Sequence, residues 1–235
     1  MKEDKKQTQQ KWLPLFLKFI SFMRIDSKEI SAADERGTKL ELWDSQRIFL
    51  EEICEGLDRG VRHFVCLKSR QLGISTVSLA LDCFWLCMHP GIIGALVVDS
   101  EGTKEVFRAT IRRYIASFPE GFFGHDFTLV KGGDNRNFMR FSNGSRLDFL
   151  VAGTRKKTAW SEGRAYTFCH ASEVSKFGSE EGLASFMETL AKQNPDRLFL
   201  FESTANGWNH FKSLWDETRR DHHTKKGIFI GWWSQ

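Results

Sequence analysis

The chain has 235 residues, 41% of them hydrophobic and 27% charged. That balance belongs to a globular protein with one substantial core, and it excludes collagen-like, coiled-coil and disordered classes. A formal charge of +4 is compatible with a polyanionic partner but does not demand one.

Taken in chain order, Trp12–Met23 (WLPLFLKFISFM) is apolar, but Pro14 and Lys18 interrupt it and Arg24 and Asp26 close it. It is too short to span a bilayer, so an amphipathic helix lying on the domain is expected, with no membrane partner. Residues 44–58 predict a helix capped by Asp44 or Ser45. Arg62–Leu67 predicts a short strand, and Ser75–Met88 an apolar helix stopped by His89-Pro90. Ile92–Val98 reads as a buried strand leading into a helix from about Glu101 to Phe118. Asn137–Phe141 and Ser145–Val151 alternate around Asn143-Gly144, a hairpin signal because both turn residues tolerate positive φ. A strand at Ala165–His170 leads towards Glu173. After it come a helix near Glu181–Gln193, a strand at Arg197–Glu202 and a helix from about Trp208 to Arg220. Gly227–Trp233 closes the pattern as another strand. Strands alternating with helices predict an α/β three-layer sandwich with a mainly parallel sheet. The cysteines (Cys54, Cys66, Cys83, Cys87, Cys169) form no CxxC pair, and buried reduced thiols are expected.

The strand–KSRQLGIST–helix context is the one a phosphate-binding loop needs. Backbone N–H groups at the turn and the helix N-terminus converge on an anion, and Gly73 lets the main chain approach closely. Against the pattern G-x-x-x-x-G-K-[ST], Gly73 matches the second glycine and Ser75 the magnesium-binding hydroxyl. Lys68 stands where the first glycine belongs, and Ile74 where the lysine belongs. A lysine on a flexible stem at the leading edge of the loop can fold back over the phosphates, so Lys68 is assigned to the β/γ-phosphates. Arg70 is a second cation in the loop, placed to sense the γ-phosphate or stabilise transition-state charge.

With these residues in view, the sequence resembles the ATPase domain of tailed-phage terminase large subunits. Ser69–Gly73 (SRQLG) resembles that family's phosphate loop, and Leu42–Gln46 (LWDSQ) its adenine-contact segment, in which a glutamine reads the base. Ala165–Glu173 (AYTFCHASE) resembles its second nucleotide motif, an apolar strand ending in an acidic pair. Here the pair is Ser172-Glu173, with Ser172 at the position of the aspartate that supports magnesium through water. Phe199–Gly207 (FLFESTANG) resembles the coupling motif.

The resemblance implies a P-loop NTPase of the additional-strand, catalytic-glutamate type, binding ATP and Mg²⁺. Residues 41–235 would form the ATPase domain, and 1–40 a helical or lid segment packed on it, with no nuclease domain in this chain. Gln46, Lys68, Ser69, Arg70, Gln71, Leu72, Gly73, Ile74, Ser75 and Thr76 would contact ATP. Glu173 would activate water, assisted by Lys68 and Arg70, and Ser75 and Glu173 would serve the metal directly or through water. Ser203, Thr204 and Asn206 would sense the γ-phosphate, and Arg155 or Arg164 would act in trans as an arginine finger. The implied partners are double-stranded DNA held without sequence readout, a portal protein and a small terminase subunit. The active form would be a homo-oligomeric ring in the cytoplasm of a bacterial host. Competing readings are a helicase-like ATPase that remodels nucleic acid, and a nucleotide- or DNA-binding module without turnover.

Overall fold

The computed structural model describes residues 11–25, 37–119, 121–122, 124–152 and 164–234. In chain order its elements are α1 (Trp12–Ile20), β1 (Arg24–Ile25), β2 (Thr38–Lys39), α2 (Asp44–Asp58), β3 (His63–Lys68), α3 (Ile74–Met88), β4 (Ile93–Val98) and α4 (Glu101–Ala116). They continue with β5 (Leu129–Asp134), β6 (Phe138–Phe141), β7 (Arg146–Val151), β8 (Phe168–Ser172), α5 (Glu180–Glu188), β9 (Leu198–Ser203), α6 (His210–Arg220) and β10 (Lys225–Ile230).

Eight strands form one sheet in the order β10-β3-β9-β8-β4-β7-β6-β5. The pairings from β10 through β7 are parallel, and β7-β6 and β6-β5 are antiparallel. The central strands β8 and β9 are buried at every position, as parallel strands covered on both faces must be. Strand alternation sorts their side chains into two layers. Phe64, Cys66, Leu96, Phe168, Leu198 and Leu200 share a core with α1 to α4, whereas Val65, Val97, Cys169, Ala171, Phe199 and Phe201 share one with α5 and α6. The expected three-layer α/β sandwich is therefore the observed one. Helix α1 lays Trp12, Phe16, Phe19 and Ile20 into the first core, with Trp12 against Phe84 and Trp85 of α3. All five cysteines are buried free thiols. Among the described residues no helix is long and apolar enough to cross a membrane.

Several elements differ from the sequence expectation, among them β8, which runs Phe168–Ser172 rather than Ala165–His170. Trp232 and Trp233 leave the sheet and form a 3₁₀ turn, because Gly231 lets the Trp233 ring fold over its own backbone, where a Cβ would sit 2.5 Å from that ring. Helix α5 ends at Glu188 rather than near Gln193: Leu190 is needed for a bridge to Tyr166, and Asn194-Pro195 then turns the chain. Strand β5 has no clear alternation in sequence, since Lys131, Gly132 and Gly133 carry no apolar face.

Candidate nucleotide site

The carboxyl ends of β3, β9 and β8 lie side by side, the region of an open parallel sheet where ligands bind. Strand β3 ends in Lys68, the chain turns through 69–73, and α3 begins at Ile74. Gly73 takes φ +65°, and a Cβ there would stand 2.3 Å from Gln46 Nε2, so glycine is required for both conformation and space. The loop is held from outside itself. Gln46 Nε2 donates to the Gly73 carbonyl at 3.0 Å, and Ser69 N–H donates to Ile230 O at 2.9 Å. Gln46 Oε1 meanwhile accepts from Trp43 N–H at 3.0 Å, so the buried amide ties the start of α2 to the loop. Leu72 and Ile74 send their side chains into the core, which leaves their backbone N–H groups for an anion. Arg70 and Gln71 are exposed, and Gln71 has φ +63°.

Across the cleft, β8 ends in Ser172, and Glu173 adopts φ +59° before the 3₁₀ turn Val174–Lys176. Lys68 Nζ lies 2.8 Å from Glu173 Oε1 and 3.8 Å from Glu202 Oε2. Lys176 Nζ approaches the other Glu173 oxygen at 3.3 Å. Burial works against the Lys68 cation, but Glu202 and Glu173 outweigh it and hold its pKa above the usual lysine value.

Beneath the loop lies a buried polar row. Glu202, fully buried, accepts on Oε1 from Ser75 Oγ at 2.8 Å and from Ser172 Oγ at 2.7 Å. His170 Nδ1 bonds Asp82 of α3 at 2.7 Å, and its Nε2 lies 3.5 Å from Glu202 Oε1. Burial opposes ionisation of Glu202, yet the Lys68 charge, His170 and Ser172 prevail and hold its pKa at about 2. Burial likewise opposes the His170 cation, and Asp82 and Glu202 prevail to raise its pKa to about 10. Glu202 Oε2 is buried with no hydrogen-bond partner. Hydroxyl and carboxylate oxygens are the hard donors that Mg²⁺ takes, and Mg²⁺ draws few ligands from protein when phosphates and water complete its shell. The residues present fit that ion.

The opposite face of β9 carries the segment Ser203–Asn206. Ser203 Oγ accepts from Ser175 N–H at 3.0 Å and donates to Ser175 Oγ at 2.8 Å. Asn206 Nδ2 and Asn209 Nδ2 both reach Ser175 O, at 3.4 and 3.3 Å, and His210 Nε2 lies 2.6 Å from Val174 O. The segment is thus fastened to the turn that follows Glu173. Thr204 is buried beside it.

With this geometry in place, the chain superposes on the large terminase ATPase domain of Thermus phage P74-26 with a TM-score of 0.52 at 16% identity, covering 72% of this chain and 75% of that one. This chain has the large-terminase ATPase fold. A variant of the same phage domain gives a TM-score of 0.56 at 15% identity, covering 77% of this chain and 80% of that one. The large terminase of a thermophilic bacteriophage gives 0.54 at 12% identity, covering 72% of this chain and 40% of the longer one. No protein-family model and no curated protein matches.

Within the terminase fold, Lys68, Ser75 and Glu173 come together around the cleft, and Gln46 is pinned to the loop. Arg164 stands apart, pairing with Asp148 at 3.4 Å in a cavity of about 670 Å³ that Lys104, Arg136 and Arg146 also line. Arg155 lies outside the described residues. Sequence reasoning missed Glu202, His170 and Asp82. The signals were present: Leu198, Leu200 and Glu202 share one strand face, and Asp82 stands seven residues after Ser75, two helical turns along α3.

Proposed function

We propose that this chain is the ATPase module of a viral DNA-packaging motor, hydrolysing ATP to drive double-stranded DNA into a procapsid. The observation that carries the reading is the Lys68–Glu173 pair closing the cleft above a glycine-turned helix N-terminus. An ammonium and a carboxylate 2.8 Å apart, at the ends of two strands separated by β9, suit a phosphate and a water respectively.

In this reading the loop N–H groups from Arg70 to Ser75 cradle the phosphates, flanked by Ser69 and Thr76, and Lys68 transfers from Glu173 to the β/γ-oxygens. Glu173, released, orients and polarises the attacking water. Arg70, exposed at the loop, adds charge stabilisation. Gln46 carries its hold on Gly73 to the adenine side. Mg²⁺, bound with ATP and held by the Ser75 hydroxyl, would neutralise phosphate charge. Ser203, Thr204 and Asn206 sense the γ-phosphate through the turn after Glu173 and pass its loss onward. Arg155 or Arg164 enters the site of a neighbouring copy in a ring. DNA is gripped through its phosphates, with steep salt dependence and no sequence readout. Residues 1–40 act as a lid segment on the ATPase core. Portal and small terminase subunits are the docking partners, in the cytoplasm of an infected bacterium.

The deciding experiment measures phosphate release with and without double-stranded DNA, comparing wild type with Glu173→Gln. We expect DNA-stimulated release by wild type and a loss of about 10²–10⁴-fold in the variant, with nucleotide still bound. Nucleotide binding without turnover, even when the protein is oligomerised on DNA, would leave a binding module and remove this reading.

A further inference from the structure

We infer that Glu202 is the carboxylate that orients the nucleotide's divalent metal ion, having taken over from β9 the place that Ser172 leaves unfilled on β8. The inference rests on the ATPase reading and deepens it.

The register makes the exchange possible. Ser172 and Glu202 are directly paired across β8 and β9, and Cys66 of β3 pairs with Glu202 on the other side. Both Ser172 and Glu202 face α3, with Ser75 at its first turn. Glutamate is longer than aspartate by one methylene, so a carboxylate rooted on β9 reaches Ser75 Oγ at 2.8 Å. A hydroxyl that donates its proton to a carboxylate keeps its lone pairs aimed the other way, which is how an outer carboxylate orients a metal-binding group. Oε1 does this work, while Oε2 is buried and unpartnered, 3.8 Å from the Lys68 ammonium. A fully buried carboxylate oxygen without a donor is costly and asks for a ligand. His170, backed by Asp82, stands 3.5 Å from Oε1.

The same geometry explains why residue 172 is a serine. Ser172 Oγ donates to Glu202 Oε1 at 2.7 Å. An aspartate there would press a second carboxylate against the first in a buried site, where two like charges disfavour each other's ionisation. One carboxylate fits this row, and it has moved one strand over.

The test is the gain in affinity for a fluorescent ATP analogue when Mg²⁺ replaces EDTA, measured for wild type, Glu202→Gln, Ser172→Asp and the double variant. The metal-free melting temperature of each serves as a folding check. Glu202→Gln should lose about 10–100-fold of the metal-dependent gain. Ser172→Asp alone should also weaken the gain, and Ser172→Asp with Glu202→Gln should recover most of it. A merely structural Glu202 would not produce that reciprocal pattern. If Glu202→Gln does not fold, Glu202→Asp keeps the charge but withdraws it by one methylene, and it should lose part of the gain. A full metal gain in the Glu202 variant that folds, or a double variant no better than Glu202→Gln, overturns the inference alone. Wild type that binds no nucleotide in either buffer overturns the ATPase reading and this inference with it.

Discussion

Glu202 and Ser203 are neighbours in the chain but serve opposite faces of the sheet. On the α3 face, Lys68, Glu202, His170 and Asp82 form a buried row of ionisable groups joined by close contacts. On the α5–α6 face, Ser203, Ser175, Asn206 and Asn209 form a neutral network around one short turn. In the proposed reading, charge is concentrated where phosphates would be handled, and the neutral network would transmit. Neutral hydrogen bonds contribute about 1 kcal/mol each and can be exchanged at little cost, which suits an element that must rearrange. A buried ion row resists rearrangement because an unpartnered charge costs several times more.

The comparison is broken most severely at Lys68. Lys68→Ala should weaken ATP binding by about 10–100-fold, the worth of a charge-assisted contact, whereas Ile74→Ala should leave affinity nearly unchanged. Ile74→Ala should instead cost about 2–4 kcal/mol of stability in chemical denaturation, since its side chain belongs to the core. Equal small effects on binding from both would show that the charged row does not face the nucleotide.

The neutral face gives a smaller effect of another kind. Ser203→Ala and Asn206→Ala should each spare ATP affinity, lower DNA-stimulated turnover and cost about 1 kcal/mol of stability or less. Stimulation unchanged in both, by the same phosphate-release assay, would make this face structural only.

The smallest effect tests burial away from both networks. His63 on β3 stacks 5.2 Å from Phe201, and its Nε2 is buried without a partner. Burial, reinforced by the Lys225 charge, lowers its pKa to about 3. A depressed folded pKa means that the neutral imidazole contributes stability above the ordinary histidine value of about 6.5, and that this is lost as pH falls towards 3. His63→Phe should flatten thermal stability between those limits; an unchanged slope would show that other groups control it.

The element order, the parallel centre of the sheet and the glycine turn were legible because apolar periodicity and turn chemistry are local. The place of Lys68 at the strand end that leads into the loop was legible too, because strand and turn signals meet there. Glu202 was not. In sequence it looks like the last residue of an apolar strand, and its meaning depends on β9 lying between β3 and β8, which no local pattern specifies. Asp82 was hidden likewise within an apolar helix, since only His170 on another element explains it. The 3₁₀ turn at Trp232–Ser234 depended on a ring folding back over Gly231, a contact invisible to alternation.

Glu173 has φ +59°, a backbone region that side-chain-bearing residues avoid by roughly 1–2 kcal/mol. His210 and Asn209 clamp the turn behind it. Replacing Glu173 by glycine or asparagine would relieve that strain but take the 2.8 Å partner from the buried Lys68 ammonium, so the melting temperature of the empty protein should not rise. Backbone strain and a charge pair thus offset one another at this single position.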